Sequence, residues 1–444
     1  MITIRSKTLL LGACFIEAIW LLVAQTLNAT VLLLPCLLCF LVLVGWAAIK
    51  NMAMPVVLFF LPFAPLLKFR PGTISLFTIA LILIYGIYTV TGSRQVRVLH
   101  LIPALLLVTL TLIVKTAYGY ALDNTYVLFA ITLMLIPFLV REMEGAYDFY
   151  WVTICFALGI CLAAITAQYL TVFPTINRYI SVDVNVAFDF SRRSGYVGDP
   201  NFYSAHITAA LSGLLVLLLG RNTRSRLFVL VPLICMLLYC GLLSVSKSFL
   251  LISICLLLLW LVALLLQRGR VSVKATLIVT AIVASVFLLS STMFADMLDL
   301  IVSRFSRDTN LSDFTTGRTE VWRHYVDAMA GDVRLLLFGQ GYTGVLLGEK
   351  ATHNTLLQSV FQLGLIGCLL MGLWVVYYMR TLLDGIKIQR HQVVRLFMLL
   401  IGIFGSWMAL DFLFLDDFFL LPIYLCMAMR FLHQQREEEN SLLY

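Results

Sequence analysis

The sequence predicts an all-α polytopic membrane protein of about 12–14 transmembrane helices with a large, partly helical outer loop. Three observations predict it. Of 444 residues, 61% are hydrophobic and only 12% charged, whereas a soluble domain carries about 25% charged residues. Apolar stretches of roughly 17–25 residues, long enough to cross the hydrocarbon core as helices, recur along the whole chain. Lysine and arginine concentrate in alternate connections between them.

In order, the stretches are 8–26, 30–49, 53–67, 73–92, 101–119, 126–140, 146–170, 204–220, 227–243, 248–266, 275–294, 354–379, 396–411 and 417–432. The first follows Arg5 and Lys7 as a signal peptide would, but runs into a second apolar segment without a small-residue cleavage site, so it reads as a retained anchor. With the N-terminus cytoplasmic, the inner connections receive Lys50, Arg94/Arg97, Arg141, Arg221/Arg224/Arg226, Arg268/Arg270/Lys274, Arg380/Lys387/Arg390/Arg395 and the tail's Arg430/Arg436. That is the excess expected of the cytoplasmic side. The organisation is then N-terminal helices over 1–170, a first outer loop 171–203, helices over 204–294, a large outer loop 295–353, and C-terminal helices with a cytoplasmic tail over 354–444. Topology and anionic-lipid contact account for the net charge of +8, which leaves no nucleic-acid signal. All ten cysteines lie in apolar segments, with no CxxC or Cys/His cluster in an outer loop. Neither a disulfide framework nor a zinc site is supported.

Long ordered loops are more often functional than connective, so the two long outer loops are where chemistry is expected. The first ends SRRSGYVGDPNFYSAH. Gly195 and Gly198 permit tight geometry, Asp199-Pro200 suits a turn, and Asn201 or Ser204 is expected to cap the next helix. Arg192 and Arg193 then stand near a helix N-terminus, which favours an anion; the alternative is a plain loop-to-helix junction with both arginines on lipid headgroups. The second loop contains TTGRTEVWRHYVDAM. Thr315 or Thr316 is expected to cap a helix there. Val321, Tyr325 and Met329 recur at i+4 beside Trp322 and Val326, which predicts an amphipathic helix on the membrane surface with Trp322 and Tyr325 at headgroup level. Arg318 falls in its first turn, the unfavourable end of the dipole. A shared anion would remove that conflict; a solvated arginine is the alternative. Lys68, Arg70 and Lys247 also sit on the side where positive charge is disfavoured, with headgroup contact the simpler account of the first two.

Residues 350–367 read KATHNTLLQSVFQLGLIG. At about 100° per residue, Asn354, Gln358 and Gln362 share one helix face, with Gly364 and Gly367 roughly opposite. His353 stands where the polar face meets the outer loops. A lone interfacial histidine is more often structural than catalytic.

These residues resemble the O-antigen polymerases and O-antigen ligases, membrane glycosyltransferases that use lipid-linked oligosaccharides. The signature of that family is His, then Asn, Ser or Gln, nine residues, Gly, two residues, then Gly, Thr or Tyr; His353-Asn354, Thr355–Leu363, Gly364, Leu365-Ile366 and Gly367 fit it. The resemblance extends over about 185–380. Arg193-Ser194-Gly195 through Pro200-Asn201 is similar to the family's Arg-x-x-Gly segment running into Pro-Asn. Gly317-Arg318 precedes Trp322, and Gly339-Gln340-Gly341 precedes the histidine, as in the family. Ser246-Lys247 stands where the family has Ser-Arg; lysine keeps the charge but loses the bidentate fork. The first 170 residues match only in hydropathy.

The resemblance implies a GT-C-like fold in the bacterial inner membrane, with the site facing the periplasm. It implies metal-independent, cofactor-free transfer of a glycan from an undecaprenyl-pyrophosphate-linked oligosaccharide to an acceptor hydroxyl, with a chain-length regulator as a further partner. His353 would be the general base. Arg193, Arg318, Lys247 and Arg192 would hold the pyrophosphate, and Asn201, Asn354, Gln358, Trp322 and Tyr325 would line the cavity. The residue types fit that chemistry on their own terms: a sugar hydroxyl needs a base, histidine titrates in the useful range, and cations stabilise a departing pyrophosphate. No Asp-x-Asp lies beside them. Fourteen spans and the Gly-Asp-Pro-Asn junction favour a polymerase. A ligase that moves the finished chain to lipid A core is the alternative within the family. A flippase or transporter, with Glu17 and Lys115 as intramembrane charges, would explain the hydropathy, but no repeated halves are visible and the polar residues gather at one face.

Overall fold

The structure, a computed structural model, describes residues 4–70, 74–91, 98–135, 148–180, 184–185, 190–220, 224–266, 318–343, 346–347, 351–383, 385–389, 392–413 and 415–441. The expected span 275–294, the inner cluster Arg268/Arg270/Lys274 and the loop start with Thr315 and Thr316 lie outside the described residues.

The described chain is helical throughout apart from connections and one two-residue antiparallel ladder, Val184–Asn185 against Phe190–Ser191. We number the helices α1 (Ile4–Thr26), α2 (Thr30–Ile49), α3 (Ala53–Phe60), α4 (Leu76–Thr91), α5 (Val98–Ala117), α6 (Asn124–Leu135) and α7 (Phe149–Leu170). Then follow α8 (Pro200–Leu218), α9 (Arg224–Leu243), α10 (Lys247–Leu266), α11 (Arg318–Gly331), α12 (Val333–Phe338), α13 (Thr355–Leu382), α14 (Val393–Phe404) and α15 (Asp416–Ser441). Among the described residues, seven helices are long and apolar enough to cross a membrane: those of α1, α2, α7, α8, α9, α10 and α13. Helices satisfy their own backbone groups, which hydrocarbon requires of any spanning segment.

The stretch 53–67 does not form one span as expected. It breaks into α3 and a 3₁₀ turn, Leu61–Leu66, because Pro62 and Pro65 withdraw backbone donors. Every residue of α3 is buried, so this segment is the centre of the bundle rather than a lipid-facing helix. Gly159 of α7 permits the contact: a Cβ there would lie 2.1 Å from the Phe59 carbonyl oxygen. The expected span 396–411 also ends early, in a 3₁₀ turn at Gly405–Met408, and the stretch 409–413 is non-helical.

The connections sort themselves by end. At one end the Thr175 hydroxyl donates to the Thr26 carbonyl at 2.9 Å, Gln25 donates to the carbonyls of Leu66 and Lys68 at 2.6 and 3.2 Å, and the Arg193 amide donates to Leu243 at 3.0 Å. At the opposite end Lys7 pairs with Asp148 at 2.9 Å, Arg395 donates to Gln435 at 2.9 Å, and Gln392 donates to the Leu432 carbonyl at 2.9 Å. The first set is the one the charge pattern places outside, and the second the one it places inside.

The two intramembrane charges are both accommodated. Glu17 of α1 accepts from the Cys36 thiol of α2 at 3.2 Å. Lys115, 2% exposed, donates to Asp123 at 3.1 Å and to the Tyr342 carbonyl at 3.3 Å, tying α5 to the segment after α12.

Single cysteines introduced into a cysteine-free chain test the orientation. An impermeant maleimide applied to intact cells is expected to label Asn177→Cys and Asp332→Cys, and to label Lys387→Cys only after permeabilisation; the reverse pattern would invert the topology.

Candidate functional site

The site lies at the end of the bundle where the two long loops meet. Its geometry begins with Asp411, in the non-helical stretch between α14 and α15. Its carboxylate accepts from the Thr352 hydroxyl, from the His353 amide at 2.9 Å and from the Asn354 amide at 2.9 Å. His353 is held in the left-handed region, φ +49°, a conformation uncommon for a residue with a side chain. The three hydrogen bonds to one carboxylate maintain it, since charge-assisted bonds are about twice as strong as neutral ones. The Leu410 carbonyl accepts from the Thr355 hydroxyl at 2.6 Å, and the Phe412 amide donates back to that hydroxyl at 3.0 Å. The turn 352–355 and the stretch 410–412 are thus locked together. The half-buried His353 imidazole makes no hydrogen bond among the described residues.

The cations converge on the same place. Arg192 donates through Nε to the Ser244 carbonyl at 3.1 Å and through Nη2 to Asn201 at 3.2 Å. Asn201 also accepts from Ser246 at 2.9 Å, which fixes Lys247, the first residue of α10, beside the start of α8. The cap of α8 is Asp199, accepting from the Asn201 amide at 2.6 Å, with Pro200 at the first helical position. It is neither Asn201 nor Ser204, because Pro200, which lacks an N–H, takes the first helical position and leaves the cap to the residue before it. Arg318 opens α11 within electrostatic reach of Asp199, Asp411 and Arg192. Burial pulls its guanidinium below the usual arginine range, Asp199 and Asp411 oppose that pull, and Arg192 adds to it. The conflict between Arg318 and the helix dipole is therefore answered in part by two carboxylates. Arg193 is half-buried, its amide bonded to Leu243. Among the described residues, Arg318 and Arg192 stand with Asp199 and Asp411, next to the starts of α8 and α11, and helix starts add positive potential.

The surface-helix expectation for α11 is corrected. Tyr325 is fully buried, its ring edge-on to Phe361 of α13 at 4.6 Å and its hydroxyl accepting from the Leu347 amide at 2.9 Å. Trp322 donates to the Thr352 carbonyl at 2.8 Å. With Val321 and Met329, they turn the apolar stripe onto α13 instead of headgroups. A packed protein surface was available to it, and a helix stripe reads the same in sequence whichever apolar partner covers it.

The polar face of α13 is also occupied. Asn354 caps the helix, its Oδ1 accepting from the amides of Leu356 and Leu357 at 3.0 and 3.1 Å. Gln358 accepts from the Leu413 amide at 3.3 Å, and Gln362 from Thr343 at 3.0 Å. These side chains serve the loop backbones. The helix does not run straight: Gly364 has φ +68° and ψ 174°. The carbonyl of Gln362 accepts from the amides of Gln340, Gly341 and Tyr342 at 3.0 to 3.2 Å. Gly339, φ +68°, fits into the break, where a Cβ would sit 2.4 Å from the Gly364 nitrogen. The two glycine motifs noted in the sequence meet in space.

Asp411 escaped sequence reasoning. Its one signal was an acid closing an apolar stretch. Lys68, assigned to headgroups, lies within electrostatic reach of Asp416, and the Arg70 guanidinium stands 5.9 Å from the Phe69 ring.

No family model matches the chain, and no curated protein matches it. The fold defines the class: a polytopic α-helical membrane protein, here with a charged, histidine-bearing site at one end of its bundle.

Gly364→Ala is expected to lower stability in detergent by at least about 2 kcal/mol, from left-handed strain and from a Cβ driven into the Leu337 carbonyl. A Cβ at Gly372 meets nothing within 4 Å, so Gly372→Ala is the control, with a change within about 0.5 kcal/mol. Denaturation midpoints of both variants make the comparison.

Proposed function

We propose that the protein is a membrane glycosyltransferase of the polymerase type, transferring a glycan from undecaprenyl pyrophosphate to a hydroxyl of a second lipid-linked repeat unit outside the membrane. The observation that carries this reading is the shared anchorage of base and cations: Asp411 holds the His353 turn and acts on Arg318, which also faces Asp199 and Arg192. An acceptor hydroxyl brought to His353 gives up its proton to the imidazole. Its oxygen attacks the anomeric carbon of the donor, and the bond from that carbon to the pyrophosphate oxygen breaks, its electron pair leaving with the pyrophosphate. Arg192, Arg193, Arg318 and Lys247 supply positive charge to that leaving group.

The test is a reaction of purified protein with defined undecaprenyl-pyrophosphate repeat units, read by mass. Lengthened glycan supports the polymerase. Transfer to lipid A core without lengthening would make it a ligase, and donor movement across a bilayer without new bonds would make it a transporter. Arg318→Ala is expected to lose about 10²–10³ in rate at normal abundance, with Arg318→Lys rescuing only partly because a point charge lacks the planar fork. His353→Gln, which hydrogen-bonds but accepts no proton usefully, is expected to rescue poorly. Wild-type rates for His353→Gln between about pH 6 and 8 would remove the base assignment.

A further inference from the structure

His206 and Asp417 form a buried pair that the transfer chemistry does not use. His206 lies on α8, 2% exposed, and its Nε2 bonds the Asp417 carboxylate in the first turn of α15. Its Nδ1 is buried and has no hydrogen-bond partner among the described residues. The contact between Nε2 and the Asp417 carboxylate is one directional bond between α8 and α15.

The stretch that ends at Asp417 is the stretch that holds the candidate base. Over 409–413, after the 3₁₀ turn, the chain is non-helical, and its contacts fall in sequence. The Leu410 carbonyl and Phe412 amide grip Thr355, Asp411 grips the His353 turn, and the Leu413 amide reaches Gln358. The Phe412 ring meets Phe202 of α8 edge-on at 4.9 Å, and Asp416 accepts from Thr78 of α4 at 3.1 Å. Helix α8 is therefore touched by this stretch in two ways, through the apolar Phe202 and Ala205 and through His206. Asn201, the partner of Arg192, stands next to Phe202 on the same helix.

The two contacts differ in what they specify. Phe202, Ala205, Leu410 and Phe412 form a small apolar cluster, which tolerates sliding. A buried hydrogen bond to a carboxylate is met at one register only. It adds little net stability, because an apolar pair of similar volume commonly serves as well.

We propose that His206 is a positioning residue: through Asp417 it sets the register of 409–413 on α8, and so places the Asp411-held His353 turn against the Arg192–Asn201 side of the site. The proposal rests on the transfer reading for its purpose, but its test does not.

The test is hydrogen exchange at the amides of His353 and Asn354, which donate to Asp411, in lipid nanodiscs without substrate. The double variant His206→Leu/Asp417→Leu removes the bond and keeps the apolar volume. It is expected to insert and melt near wild type, while exchange at those two amides speeds by about tenfold or more. His206→Gln, whose amide N–H still reaches Asp417, is expected to stay within about threefold of wild type. Wild-type exchange in a folded double variant overturns the proposal. So does a double variant that fails to insert, because the pair is then needed for folding itself, and so does His206→Gln exchanging as fast as the double variant. In the transfer reaction the double variant should lose kcat with donor KM held. A wild-type protein that transfers nothing would end the transfer reading and leave the exchange result standing.

Discussion

The Asp411 carboxylate is the contact on which the site depends, because it answers two needs with one group. A turn that leaves the outer loop and enters a long apolar helix exposes amides that hydrocarbon cannot satisfy. Asp411 takes two of them and a hydroxyl. The same charge lies near Arg318, which would otherwise stand at the start of α11 with the helix dipole against it. Backbone geometry at His353 and electrostatics at Arg318 are thereby tied together, and neither can shift without disturbing the other.

The second constraint is the bilayer's indifference to apolar packing. Lipid tails are as apolar as leucine, so helices associate through close approach and polar contacts. Both appear where the chain is least regular. Gly159 lets the Phe59 backbone of the central α3 approach the backbone of α7, and Gly339 lets the end of α12 enter the break at Gly364. Around that break three amides converge on one carbonyl. A helix interrupted inside the protein keeps its polar groups satisfied only because a neighbouring segment supplies donors, here the amides of Gln340, Gly341 and Tyr342.

Much of this was legible in sequence. Hydropathy located the long helices, and among the described residues the connections that the lysine and arginine bias grouped into two sets bond at opposite ends. The residues singled out around Arg192, Asn201, Lys247, Arg318 and His353 come together at one end. Their roles were less legible. Asn354, Gln358 and Gln362 looked like an open polar wall, yet each is spent on backbone amides.

Composition and periodicity by themselves determined that the chain is a helical membrane protein, because burying apolar surface and satisfying backbone in lipid are demands each segment meets locally. Tertiary structure alone decided what covers each face. Tyr325 packs on Phe361 rather than headgroups, Pro62 and Pro65 turn an apparent span into a buried core, and Asp411, far along the chain from His353, becomes its support. Such pairings carry no periodic signal, since the partner is set by which helix ends the fold brings together.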